Sequence, residues 1–186
     1  MFRTILLSIL MFTTSLLFAQ VKWEREYRIH PRSVPEKATR FIDSANLESR
    51  VKWYAEESHD GKTYEAKFKF RNRKHSVEFS ESGHVLDIEV ELKLSELPES
   101  WAISFDKALS GHFTRIRIVK IQIQYTDSLM EYLRNGSGST SKANYEVVVR
   151  GYKGRDFRFY EATVDSAGAL ISLKEIVTRN TDNLEF

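Results

Sequence analysis

Two carboxylates, Glu89 and Glu91, stand two positions apart in the acidic run Leu-Asp-Ile-Glu-Val-Glu-Leu at 86–92. In an extended strand such residues share one face about 7 Å apart, a separation at which one carboxyl can donate a proton while the other accepts one. That is hydrolase chemistry. A structural reading is stronger: Asp87, Glu89 and Glu91 form a solvated row across from Lys67 and Lys69, paired at the surface. The five histidines, His30, His59, His75, His84 and His112, show no i, i+4 pair and no close ligand spacing, so no metal site is assigned. Serine, histidine and aspartate are all present, but without a nucleophile elbow. The Gly-Ser-Gly-Ser-Thr-Ser-Lys run at 136–142 lacks the Gly-Lys-Ser/Thr order of a phosphate loop. Asn135-Gly136-Ser137 fits a glycosylation acceptor, which matters little in a bacterial producer. No catalytic residue and no cofactor is assigned, and the chain reads as a non-enzyme.

Side chains suited to gripping a partner stand later in the chain. The alternation of the second half places Tyr145, Val147, Val149, Tyr160, Ala162 and Val164 inward and leaves Val148, Phe157 and Phe159 outward. An outward apolar patch of this kind marks a partner surface, with Phe157 and Phe159 as aromatic anchors and Arg150 and Arg158 near its rim. The alternative is burial, beneath the polar segment after Tyr125, through a β-bulge near Gly154, or between the two halves of the chain. Ile116 and Ile118 also change phase against Val119, Ile121 and Ile123.

The elements that must carry these residues follow from periodicity. Pro35 near a helix start, with Ser33 and Glu36 placed as a capping box, predicts a short helix ending near Asn46. Ala38, Phe41, Ile42 and Ala45 form its apolar stripe. Strands are expected at Val51–Glu57, Tyr64–Phe70, His75–Phe79 and Leu86–Leu94, with turns at Asp60-Gly61 and Ser82-Gly83. Tyr64, Ala66, Phe68 and Phe70 face a core, whereas Glu65, Lys67, Lys69, Glu78, Asp87, Glu89 and Glu91 face water. The order then recurs. Leu97-Pro98-Glu99 echoes Val34-Pro35-Glu36, Trp101, Phe105, Ala108 and Leu109 make a second helical stripe, and strands follow at Arg115–Tyr125, Tyr145–Val149 and Phe157–Val164. Phe79 to Gly83 and Val164 to Gly168 have equal spacing, while Thr126–Lys142 is a flexible polar insertion confined to the second half.

With 186 residues, 41% apolar and 12% aromatic, the chain can build a real core. Its 28 basic and 26 acidic residues are interleaved, which excludes a nucleic-acid stripe. Met1-Phe2-Arg3, the apolar run Ile5–Phe18 and Ala19 read as a secretory signal peptide cleaved near Ala19, too short for a transmembrane helix. Without cysteine the chain has neither a disulfide nor a lipidated anchor, so no stable membrane insertion is expected. The terminal Phe186 invites comparison with an outer-membrane barrel, but Thr178–Phe186 alternates poorly and the strands are too few.

The unit Val-Pro-Glu, short helix, Val-Lys-Trp-Tyr, then Tyr-Glu-Ala-Lys-Phe, Ser-Val-Glu-Phe and a glycine turn into an acidic alternating strand resembles the PepSY-like domain of exported bacterial proteins. That domain is often described as similar in fold to the β-lactamase inhibitory proteins. The resemblance covers essentially the whole mature chain and is clearest over Val34–Leu92; the second half departs from it by the insertion and by lacking a clear Val-Lys-Trp. It implies a tandem arrangement, export, no known catalytic residues, and binding or inhibition of other proteins. The expectation is an α+β fold of two tandem units, each a short helical segment packed on an antiparallel β-meander of about four strands. A signal peptide spans 1–19, the first unit 20–94, and the second 95–186 with a flexible insertion at 126–143. The function expected is that of a periplasmic or secreted non-enzymatic module binding a protein or peptide of the cell envelope. The alternatives are a pocket protein holding a small apolar ligand and, more remotely, a hydrolase.

Overall fold

The computed structural model describes residues 20–125 and 143–178. The expected leader at 1–19, the expected insertion at 126–142 and the segment after 178 lie outside the described residues.

Among the described residues, alternating apolar and polar residues produce nine strands: β1 (Gln20–Ile29), β2 (Lys52–Ser58), β3 (Gly61–Phe70), β4 (Arg73–Ser80), β5 (Val85–Leu92), β6 (Arg115–Tyr125), β7 (Asn144–Lys153), β8 (Asp156–Val164) and β9 (Leu170–Thr178). Helix α1 (Glu36–Ser44) follows β1 and α2 (Glu99–Ser110) follows β5, each entered through a one-turn 3-10 segment. Pro35 and Pro98 are the helix N-caps. The expected capping box is absent, because Ser33 closes the 3-10 turn and Glu36 pairs instead with Arg40. Ala38 and Ile42 on α1, and Trp101, Phe105 and Leu109 on α2, recur every four residues and are buried.

The sheet overturns the expected pair of tandem helix-plus-meander units. Successive strands pair antiparallel from β1 to β9, including β5 with β6 at Leu92↔Ile121, and β9 returns to pair parallel with β1, Gln20 beside Lys174. One sheet of nine strands closes into a barrel. Closure escaped the sequence reading because alternation reports which residues share a face but not where that face goes. The long β1 and all of β9 were missing from the expected strands.

The apolar face is the outside of the barrel, and both helices lie on it. Around α1 gather Trp53, Ala66, Phe68, Phe79 and Ile88; around α2 gather Ile121, Val147, Val149, Tyr160 and Val164. Each large side chain fully buried there contributes about 1.5–3 kcal/mol. Glycine turns seat the helices. Gly168 has φ +84°, and a Cβ on it would stand 2.6 Å from the Trp101 carbonyl oxygen; Gly83, at φ +78°, meets Pro35 and Ala38 in the same way.

Bulges account for the changes of phase. A register shift between Ile118 and Lys120 leaves Val119 out of the ladder, so Ile118 opposite Val149 and Ile121 opposite Val147 share the core face. Gly154, one alternative place for a bulge, lies instead in the β7–β8 turn. A second shift, at Glu78/Phe79, leaves Leu86, the first residue of the expected strand Leu86–Leu94, at 44% exposure.

Candidate binding lumen

Closing the sheet turns its polar face inward. The residues expected to face open water, Glu65, Lys67, Glu78, Asp87 and Glu89, line one cavity of about 470 Å³ to which all nine strands contribute. Only a barrel lumen can be bordered in that way. Among the described residues its wall carries ten carboxylates against four basic side chains. A second cavity of about 440 Å³ shares Glu65, Lys67, Ser76 and Lys120 with the first and continues toward Arg50, Lys52, Lys69 and Lys74. The lumen is therefore acidic toward one end and basic toward the other.

Lys67 is the hub of the acidic chamber. Its Nζ donates to Glu26 at 2.9 and 3.0 Å, stands 3.0 Å from Glu65 Oε2, and lies 4.8 Å from the Tyr54 ring centroid. Burial pulls the Lys67 pKa down, but Glu65 and then Glu26 outweigh it and hold the ammonium above its ordinary range. Burial likewise raises Glu26 despite Lys67. Ser76 Oγ and Gln122 Nε2 both donate to Glu89 Oε2, at 3.0 and 2.7 Å, and Gln124 Nε2 donates to Asp87 Oδ2 at 2.8 Å.

Glu65, Glu78 and Asp87 are register partners on β3, β4 and β5. Burial first, and neighbouring carboxylates second, push Glu78 and Asp87 each up to about 7, against the opposing hydrogen bonds of Thr63 and Gln124. His75 stacks on Phe68 with centroids 5.5 Å apart, and burial lowers its pKa.

Beyond the basic end, β6, β7 and β8 continue the inner face as a lip. The register gives two rungs, Arg115–Tyr152–Phe157 and Arg117–Arg150–Phe159. The Arg150 guanidinium carbon lies 4.6 Å from the Phe157 centroid and 5.2 Å from that of Phe159; Arg115 lies 4.0 Å from the Tyr152 centroid. A hydrogen bond from Arg150, with Arg115 nearby, lowers the Tyr152 pKa. Among the described residues Arg150 Nε is buried with no acceptor, and Phe157 is 47% exposed.

The structure thus brings together Arg150, Phe157 and Phe159, and on the same inner face Val148, which is buried in the lumen wall. Arg158 is separated from them. It points to the opposite face and donates to Glu175 at 2.5 Å. The proposed acid–base pair is also divided: Glu89 sits in the acidic chamber, whereas Glu91 pairs with Lys74 at 3.2 Å in the basic part. Neither faces Lys67 or Lys69 across an open surface as expected. The sequence reading missed Glu26, Glu65, Lys67, Glu78 and Asp87 as members of a site. Their signal was present, acids at matching phase on successive strands, but it was assigned to solvent. Among the described residues no group of three or more histidine or acidic side chains is placed to hold a metal, and no helix is long and apolar enough to cross a membrane.

No protein-family model matches the chain, and no curated protein matches it. Solved structures do. A DUF2874 family protein from Bacteroides uniformis aligns with a TM-score of 0.54 at 14% identity, over 76% of this chain and 89% of that one. A DUF2874 family protein from Bacteroides ovatus gives 0.53 at 17% identity, over 76% and 87%. A protein from Bacteroides eggerthii, assigned provisionally to the periplasm, gives 0.52 at 12% identity, over 76% and 88%. At these identities the likeness is one of fold, which the chain shares with the DUF2874 proteins.

Proposed function

We propose that this chain is an exported, non-enzymatic binding module that grips a protein or peptide of the cell envelope with the lip of its barrel. The observation that carries the reading is the arginine–aromatic clamp, with Arg150 held over Phe157 and Phe159 while Phe157 keeps nearly half its surface open. Aromatic and arginine side chains are the residue types that dominate binding energy at protein interfaces. Arg115, Arg117 and Arg150 on one face favour a partner segment carrying carboxylates. Export is supported by the leader-like residues 1–19, by the PepSY-like pattern of the sequence, and by the fold shared with a protein assigned provisionally to the periplasm. The small apolar ligand is the weaker alternative, because the enclosed space is walled by charge and the large aromatic cores lie on the outside.

The test is crosslinking capture from the producer's own envelope fraction by the mature chain and by a Phe157→Asp/Phe159→Asp variant. The expected result is loss of the captured species with thermal melting unchanged to within a few degrees, since Arg150 stands ready to pair with the new carboxylates. A variant that unfolds, or that captures the same species as well as the parent, overturns the reading.

A further inference from the structure

We propose that the basic chamber of the lumen binds a small dicarboxylate carrying an amide N–H, its carboxylates held by Arg50, Lys52 and Lys69 and its N–H donated to the side-chain carbonyl of Gln122. The site is separate from the lip and does not depend on a protein partner there.

Three observations converge on it. First, the chamber of about 440 Å³ is lined, among the described residues, by six basic side chains against two carboxylates, and it is of a size that takes a small organic molecule. Register sets those cations against each other. Lys52 stands opposite Lys67, and Lys69 opposite Lys74, on neighbouring strands; pairings of like sign oppose folding, and an anion between them relieves the repulsion.

Second, the acids already present are committed. Glu65 bridges to Lys67 and Glu91 to Lys74, while among the described residues Arg50, Lys52 and Lys69 have no carboxylate within bridging distance. An anion entering from outside therefore meets three cations that it need not win from another partner.

Third, Gln122 offers a contact that a bare anion leaves unused. It is only 7% exposed and lies on one rung of the wall with Lys69, Lys74 and Glu91, through the pairing of Lys69 with Lys74, the Lys74–Glu91 bridge and the pairing of Glu91 with Gln122. Its Nε2 donates to Glu89 Oε2 at 2.7 Å, which fixes the orientation of the amide, because a carboxylate accepts and does not donate. Glu89 lines the acidic chamber, whereas Gln122 lines only the basic one. The nitrogen is thus turned to the acidic side, and among the described residues Oε1 is left buried without a donor. A buried acceptor of that kind calls for an N–H or O–H. An acylated acidic amino acid presents both kinds of group on one short frame, two carboxylates for the cations and an N–H for the carbonyl. The acidic C-terminal end of a peptide presents the same chemistry.

The experiment is titration calorimetry of the mature chain at pH 7 with N-acetylglutamate and with glutarate, which has the same two carboxylates and the same spacing between them but no N–H. One N-acetylglutamate is expected to bind per chain, with glutarate binding several-fold more weakly. Lys52→Gln/Lys69→Gln is expected to weaken both acids at least tenfold. Gln122→Leu, which leaves every cation in place, is expected to remove the preference for N-acetylglutamate while glutarate binds as it does to the parent, a result that a general disturbance of the wall would not give. Inorganic phosphate at matched ionic strength is expected not to displace N-acetylglutamate. The source is read from the tripeptide N-acetyl-Ala-Ala-Glu: tighter binding than N-acetylglutamate assigns the site to a peptide end, weaker binding to a free acid, and both support the proposal. It is overturned by the absence of binding at millimolar N-acetylglutamate, by equal affinity of the parent for the two acids, by unchanged affinity in the lysine variant, by a preference that persists or an equal loss of both acids in Gln122→Leu, or by displacement with phosphate. Retained N-acetylglutamate binding in the Phe157→Asp/Phe159→Asp variant is expected, and its loss there overturns the assignment to the chamber.

Discussion

Glu78→Gln is predicted to stabilise the protein at alkaline pH and to do little in acid. In the folded chain Glu78 titrates at about 7, against an ordinary 4.5, because burial and the neighbouring Glu56, Glu65 and Glu89 disfavour its charge. Between those two values the folded state keeps a proton that the unfolded chain has released. Stability therefore falls as pH rises from about 4.5 to about 7, and the loss is complete above it. Each pH unit of displacement corresponds to about 1.4 kcal/mol, which sets a ceiling of about 3 kcal/mol on the penalty at pH 8. Water in the lumen screens part of it, and Asp87 titrates together with Glu78, so a gain of about 1–3 kcal/mol is expected from the neutral amide. For a chain of this size that is roughly 2–12 °C in melting temperature. The assay is thermal denaturation by circular dichroism at pH 5 and pH 8 for both proteins. A variant gaining several degrees at pH 8 and less than about 1 kcal/mol at pH 5 agrees with the reasoning. Equal gains at both values, or none at pH 8, would refute it, because neither result ties the penalty to the ionisation of Glu78 inside the barrel.

Two further outcomes follow from packing and charge. Gly151→Ala is expected to lower stability by about 1–3 kcal/mol, as overpacking does, because the added Cβ would stand 2.5–2.8 Å from the Phe113 ring; a denaturant midpoint equal to the parent's refutes the contact. His75, with its pKa lowered by burial between Phe68 and Phe70, must stay neutral in the fold, so it destabilises as pH drops below its ordinary 6.5. His75→Gln is expected to flatten that acid limb in melts from pH 7 to pH 5, and an unchanged slope counts against it.

Much of the local structure was legible from the chain. Pro35 and Pro98, each preceding a four-residue apolar period, located both helices, and the strict alternation from Tyr64 to Phe70 assigned each side chain to its face. What local pattern could not carry was the pairing of Gln20 with Lys174, far apart in sequence, since a parallel contact between first and last strands leaves no turn to read. That one pairing moves Glu78 and Asp87 from presumed solvent to a lumen wall. The lip was half legible. The apolar phase at Val148, Phe157 and Phe159 marked the inner face, but Arg158, adjacent in sequence, was grouped with Arg150 although alternation sends it to the other side. The bulge at Val119 was readable as a change of phase without its position being fixed.

The parallel seam between β1 and β9 also governs how the molecule can be made. A chain emerging from its N-terminus delivers β1 first, and the neighbour that completes its other edge comes last, after every intervening strand has been produced. Contacts between segments so distant in sequence form slowly. Until they form, both terminal strands present open hydrogen-bonding edges to any passing chain. Nascent molecules thus cross a window in which self-association competes with ring closure, and the seam, more than either hydrophobic cluster, sets how long that window lasts.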